Sequence, residues 1–272
     1  MDKERLIKYL KEGNSYRRIA ELTGFSCSTV KYYINKYNLK EYSKNQKRIY
    51  RDEYYFNKID TKEKAYMIGY FLADAYIAEK SVELGCALID KEILEFICKE
   101  LTVNGKVNED LILEKETRRF PRARFTLSNK NIRTDLLKHC SSKEDKRVPI
   151  IPKYLERYMV QGFFDGDGCL TWGRRKDRDR IWQKVSFSSS LSLVTSIQKI
   201  LIKNGISSTI RPKKNENCFV LEFSSRRDVI NFLEYIYPDN QFIILHRKYE
   251  KANALRLELG EFGGPTNTEP SL

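Results

Sequence analysis

Histidine is nearly absent from the 272-residue chain, with His139 and His246 its two copies, so an imidazole base or a Ser-His pair has few places to come from. Six cysteines (27, 86, 98, 140, 169 and 218) are scattered without a CxxC pair. Beside so few histidines they make a structural zinc set a poor expectation, and they read as reduced, small core residues. No apolar run approaches the roughly 18 residues that a membrane span needs. The opening MDKERLIKYL alternates charges where a signal peptide would have an apolar core. A soluble, intracellular protein with no membrane partner is expected. Acids are also short in supply: 37 Asp+Glu against 50 Lys+Arg leave a formal charge of +13, which points to a polyanionic partner. The 41% of hydrophobic residues, 12% of the chain being aromatic, suffices for one large or two smaller cores and argues against a disordered chain.

What is present begins with three short helical patterns: Leu6, Ile7 and Leu10, then Tyr16, Ile19 and Ala20, then Val30, Tyr33 and Ile34. Within SYRRIAELTGFSCSTVKYYINKY, Ala20 is the small residue that lets two helices approach and Gly24 permits a positive φ in a tight turn. Val30 anchors the following helix. That order reads as a helix-turn-helix over residues 1–40. Ser26 stands where an N-cap belongs, and Cys27, Ser28, Lys31 and Tyr32 face outward. DNA binding is expected here, Ser28 and Tyr32 included, with Arg17, Arg18, Lys31 and Lys36 on phosphates and the start of the third helix facing base edges. Residues 41–60 run polar, basic and aromatic without an apolar period and read as a linker lying along DNA.

An internal repeat follows. MIGYFLADA (67–75) and VQGFFDGDG (160–168) are apolar helical runs ending in an acid. Gly69 stands five residues before Asp74 and Gly162 five before Asp167, with Ala73 and Gly166 directly ahead of the acids. Small residues on one face let two such helices pack side by side, which would bring Asp74 and Asp167 into one site. Each run leads into strand-like stretches, an amphipathic helix, a basic hairpin and a further helix. The boundaries expected are a first repeat over 61–150, a second over 151–259 and a disordered tail over 260–272.

With these residues in view, the chain resembles the single-chain LAGLIDADG homing endonucleases, here with an N-terminal helix-turn-helix. The likeness covers residues 55–255 and is carried by IDTKEKAYMIGYFLADAYI, by VPIIPKYLERYMVQGFFDGDGCL and by LHRKYEKANAL. It implies an α+β fold: two pseudo-symmetric αββαββα units forming a β-saddle over DNA, preceded by the small all-α domain. It also implies metal-binding acids at Asp74 and Asp167 and a basic residue near each site, Lys248 in the second half and Lys143, favoured over Lys146, in the first. Two positions depart from the family pattern. Leu72 stands where the second copy has Asp165, so symmetry selects Asp74 and Asp167 and leaves Asp165 an accessory. Ala75 stands where glycine is usual, costing about 1 kcal/mol if the backbone there needs a positive φ.

Hydrolysing a phosphodiester needs an activated water and charge neutralisation at the phosphate, which hard oxygen ligands supply with Mg2+ or Mn2+. On that reading the protein is a monomeric, metal-dependent double-strand DNA endonuclease with a long, asymmetric target. The basic residues expected on DNA are Arg118, Arg119, Arg122 and Arg124 in the first half. In the second half they are Arg174, Arg175, Lys176, Arg178, Arg180 and Lys184 between the two tryptophans, with Lys213 and Lys214 in the last hairpin. A catalytically silent transcription regulator and an intron RNA maturase, which would take intron RNA as partner, are the alternatives on the same scaffold.

Overall fold

The computed structural model describes residues 1–39, 42, 48–114, 118–140, 148–175, 180–214, 217–238 and 242–260. The chain divides into two compact units, Met1–Ile49 and Tyr50–Leu272.

The first unit has three helices, α1 (Lys3–Lys11), α2 (Tyr16–Thr23) and α3 (Cys27–Lys36). Each begins with an acid or hydroxyl cap. Asp2, Ser15 and Ser26 accept from the backbone N–H three residues on, satisfying donors that a helix start would otherwise leave open. Gly24, at φ +73°, ends α2 in the left-handed conformation expected of it. Leu6, Leu10, Ile19, Ala20, Val30, Ile34 and Leu39 form the core of this unit.

The second unit repeats one order of elements. α4 (Lys62–Asp74), β1 (Tyr76–Ile77), β2 (Val82–Ala87), α5 (Lys91–Leu101), β3 (Asn108–Glu114), β4 (Arg118–Leu127) and α6 (Lys130–His139) make the first half. α7 (Glu156–Asp167), β5 (Gly168–Arg175), β6 (Arg180–Ser189), α8 (Leu191–Lys203), β7 (Thr209–Pro212), β8 (Phe219–Phe223) and α9 (Arg226–Ile236) make the second, and α10 (His246–Glu258) closes the chain. The order αββαββα therefore occurs twice. Each half has one antiparallel sheet, β1-β2-β4-β3 and β5-β6-β8-β7.

Strand alternation buries Val82 and Leu84 on β2, Ala123, Phe125 and Leu127 on β4, and Val185 and Phe187 on β6. One face of each sheet is thus packed on the core and the other left open. The two halves differ in which hairpin is long. β1 has 2 residues where β5 has 8, while β3 and β4 have 7 and 10 where β7 and β8 have 4 and 5. The unequal first hairpins are legible in IAEKSVE against WGRRKDRDRIWQK.

α4 and α7 are buried nearly all round, as expected of central helices, and they touch backbone to backbone. A Cβ on Gly69 would stand 1.9 Å from the Met159 carbonyl oxygen, and one on Gly162 would stand 2.0 Å from that of Tyr66. Each helix thus offers its glycine to the other, the reciprocal contact that an internal twofold demands.

The linker expected over 41–60 ends earlier. From Tyr50 onward the chain is built into the first half: Phe56 and Ile59 are buried, Arg51 donates from its backbone to Leu101 O and from Nε to Lys99 O, and His139 Nε2 meets Phe56 O at 2.8 Å. Aromatic side chains without a period can still pack when another element supplies the groove. The tail from 261 lies outside the described residues. Among the described residues no helix is long and apolar enough to cross a membrane.

Candidate active site and nucleic-acid interface

Thr61 caps α4 and Glu63 lies in its first turn; the helix then runs without a break to Asp74, its last residue. α7 ends in the same way on Asp167. Both acids are exposed at their helix ends, and those ends meet at Gly166: a Cβ on that glycine would lie 2.4 Å from Ala73 Cβ and 3.2 Å from Asp74 Oδ2. The paired small residues Ala73 and Gly166 thus leave one helix end open in front of the other's carboxylate.

After each acid the backbone turns extended, with Ala75 at φ −75° and Gly168 at φ −76°. A positive φ is not needed at either position, so the expected penalty at Ala75 does not arise. The glycine of the second copy has a different reason, because a Cβ on Gly168 would lie 2.2 Å from Phe164 Cδ2.

The surroundings of the two acids are unequal. Beside Asp74 lies the buried Tyr70 hydroxyl. Burial first, and the Asp74 charge second, push that phenol well above its usual range. The matching position in the second copy is Phe163, which has no hydroxyl.

Near Asp167 the buried group is Asp165, 4% exposed. Tyr66 of the first half donates to its Oδ2 at 2.7 Å and Tyr237 donates to its Oδ1 at 3.0 Å. Burial outweighs the nearby Lys248 charge and these bonds, raising the carboxyl to about 7. Asp165 is therefore an internal tie between halves, in keeping with the accessory place that symmetry assigns it.

Lys248 stands beside this site but not as a free cation. Its ammonium donates to Phe164 O at 2.5 Å, Asp165 O at 2.9 Å and Gly168 O at 2.7 Å, which engages all three of its N–H groups. Burial lowers its pKa. In this arrangement it clamps the carbonyl end of α7, where a positive charge also meets the negative end of the helix dipole. Lys143 lies outside the described residues, as do Lys176 and Arg178.

The open sheet faces carry four of the remaining basic candidates, Arg122, Arg124, Arg180 and Lys184. Arg122 and Arg124 alternate with buried Ala123 and Phe125 on β4, and Arg124 pairs with Asp110 at 3.1 Å. Arg118 and Arg119 occupy the start of the same strand, opposite Glu114 and Leu113. Arg180 and Lys184 are exposed on β6, with Trp182 between them and 43% exposed; Arg175 is the register partner of Arg180. Lys184 and Arg211 both pair with Glu222 at 3.4 Å. Lys213 and Lys214 are exposed where β7 turns toward β8.

Arg174 leaves this group. It is in register with Ile181, on the face where Trp172 and Gln183 also lie, and its guanidinium pairs with Glu258 of α10 at 2.7 Å. Strand alternation puts it under the sheet.

In the N-terminal unit Arg17, Arg18, Ser28, Lys31 and Tyr32 are all exposed. Arg17 and Arg18 share Glu21 at 3.8 and 3.1 Å, and Lys36 lies over the rings of Tyr32 and Tyr33.

Sequence reading passes over Arg211, Tyr66, Tyr70 and Tyr237. Tyr66 and Tyr237 lie 99 and 72 residues from Asp165, and no local pattern links them to it.

Residues 155–237 match a family model described as a LAGLIDADG-like domain. Among curated proteins none matches the chain. Among solved structures the chain is similar to I-SmaMI bound to uncleaved DNA target in the presence of calcium ions, at 8% identity, with 76% of this chain and 95% of that one covered and a TM-score of 0.52. It is also similar to the I-LtrWI LAGLIDADG homing endonuclease bound to target DNA (14% identity, 74% and 91% covered, TM-score 0.48). A further likeness is to I-DmoI in complex with DNA and Mn (15% identity, 66% and 98% covered, TM-score 0.45). At such identities the likeness is one of fold.

Proposed function

From a chain whose residues 155–237 match a LAGLIDADG-like domain model, within a duplicated αββαββα frame, we propose a site-specific double-strand DNA endonuclease. The observation that carries this reading is the pair of acids at the ends of the two central helices, with Asp74 Oδ2 placed over Gly166. Carboxylates in a metal-free polar cleft would repel each other, and a divalent cation relieves that repulsion.

The residues present fit such an ion. Their donors are all oxygen, which suits Mg2+ or Mn2+. Gly166 keeps the approach to Asp74 open, and the Tyr70 hydroxyl lies beside that carboxylate. Asp74 and Asp167 would hold the metal, which supplies charge neutralisation at phosphate and a nucleophilic water. Lys248 keeps the α7 end in place, and the Asp165 bonds from Tyr66 and Tyr237 tie it to the first half and to the end of α9. Arg122, Arg124, Arg180 and Lys184 hold the duplex across the open sheet faces, and one chain suffices because it supplies both acids. The shared fold of I-SmaMI, bound to DNA target in the presence of calcium ions, supports DNA and a divalent ion as partners.

The test is cleavage of a randomised duplex library by the full chain with Mg2+ and with EDTA. Ends that share a sequence on both sides of the cut, formed only with metal, are expected. Binding without any cleavage would favour a regulator, and processing of intron RNA alone would favour a maturase.

The three-helix N-terminal unit is proposed to act as a helix-turn-helix that extends the length of DNA that the protein covers. Deleting residues 1–49 should shorten the protected footprint and make the slope of log affinity against log salt shallower by about one for each phosphate no longer neutralised. A footprint of unchanged length would assign this unit to another partner.

A further inference from the structure

We propose that Arg247, with Asp90 and Glu92, forms a brace by which the first half positions the acid of the second; Arg247 and Asp90 are then positioning residues for Asp167. The inference rests on the endonuclease reading for its kinetic consequence, but its geometry stands apart from it.

α10 begins without a side-chain cap of its own. The cap comes from the other half: Glu92 of α5 accepts the His246 backbone N–H at 2.7 Å and the His246 Nδ1 at 2.8 Å. The next residue, Arg247, donates from Nε and Nη2 to the two oxygens of Asp90, each at 2.8 Å. This is the planar, two-bond form in which arginine fixes orientation as well as charge. Asp90 directly precedes α5 yet gives its own helix no side-chain cap; its carboxylate is committed to the partner half. The residue after that is Lys248, whose three bonds close on Phe164, Asp165 and Gly168, carbonyls that bracket Asp167.

Three consecutive residues in one rigid helical turn therefore join the start of α5 to the end of α7. Displacing the Arg247 fork must displace Lys248, and with it the backbone that carries Asp167. Arg247 is about half exposed, its side chain at 46%, and exposed pairs add little stability. The effect of the pair should accordingly appear in the geometry of one acid and not in the fold as a whole.

The experiment compares wild type, R247A, R247K and the exchanged pair D90R/R247D, as full chains, on a duplex that the wild type cleaves. The strand served by Asp167 is identified beforehand with D167N. In R247A the single-turnover rate on that strand should fall at least tenfold more than on the other, with DNA affinity within twofold of wild type. The exchanged pair should recover most of the loss, and R247K, which keeps charge but not the fork, should recover less. Equal slowing of both strands, or no slowing, would overturn the brace.

A second readout needs no cleavage. In protein carrying 15N-lysine, the Lys248 ammonium should exchange slowly in wild type, quickly in R247A and slowly again in the exchanged pair. An unaltered Lys248 signal in R247A overturns the brace whether or not the protein cuts DNA. A wild type that cuts no DNA while showing this pattern would overturn the endonuclease reading and uphold the brace.

Discussion

Asp74→Asn and Asp167→Asn should each abolish double-strand cleavage while leaving duplex binding at or above the wild-type level. Amide nitrogen and oxygen occupy nearly the space of a carboxylate, and both side chains stand at open helix ends, so neither change disturbs packing. What is lost is the charge that would hold the proposed metal, worth several kcal/mol of transition-state stabilisation. At 1.36 kcal/mol per tenfold, a loss of about 4 kcal/mol slows cleavage by about 10^3. Binding should not suffer, because on the proposed reading the surface meets phosphates, and removing a negative charge from it lowers repulsion. Each variant should nick one strand only, and the two variants should nick opposite strands. Single-turnover cleavage of end-labelled duplex, with affinity measured at fixed salt, reads all three quantities. Double-strand cleavage at the wild-type rate by either variant would refute the two-acid site.

Gly69→Ala and Gly162→Ala should be the most destabilising single-methyl additions in the chain. Ideal Cβ atoms at these positions fall 1.9 and 2.0 Å from carbonyl oxygens of the facing helix. The obstructing atoms are backbone, so relief requires α4 and α7 to part along the seam that holds the two halves together. Overpacking of a core usually costs about 1–3 kcal/mol and occasionally more; here about 3 kcal/mol or more is expected. For a chain of this size that lowers Tm by about 6–12 °C. Gly24→Ala is the control. Its Cβ meets nothing within 4 Å, but φ is +73°, so only a conformational cost of about 1 kcal/mol applies. Thermal melts of the three variants separate crowding from backbone strain. A smaller loss at Gly69 than at Gly24 would mean that the helices do not meet as closely as described.

Much of this site can be read without the fold, and the reason is local. Ser26 as a cap, Gly24 as a left-handed turn and Gly69 and Gly162 as close-approach residues each follow from what one residue type permits within a few positions of itself. The equivalence of Asp74 and Asp167 also comes from pattern, because a repeat puts both at the last position of their helices, although their neighbours differ. Reading fails where the determining partner is remote. Arg174 looks like its basic neighbours, yet strand alternation turns it to the other face and Glu258 is there to receive it. Tyr50 to Ile59 looks like a linker because its aromatics show no period, and they are ordered by a groove that the sequence does not display. Resemblance finds Lys248 but not its partners: the three carbonyls it clamps become acceptors only because α7 ends there.

By itself, then, the sequence determined the element order, the duplication, the two acids and the excess of positive charge, all of which depend on composition and short-range spacing. Tertiary structure alone decided which face each cation occupies and which charges are already neutralised. It also decided how the halves are joined, through Tyr66 to Asp165 and Arg247 to Asp90. Those pairings span 99 and 157 residues, and a hydrogen bond is set by distance and angle in space, quantities that separation along a chain does not encode.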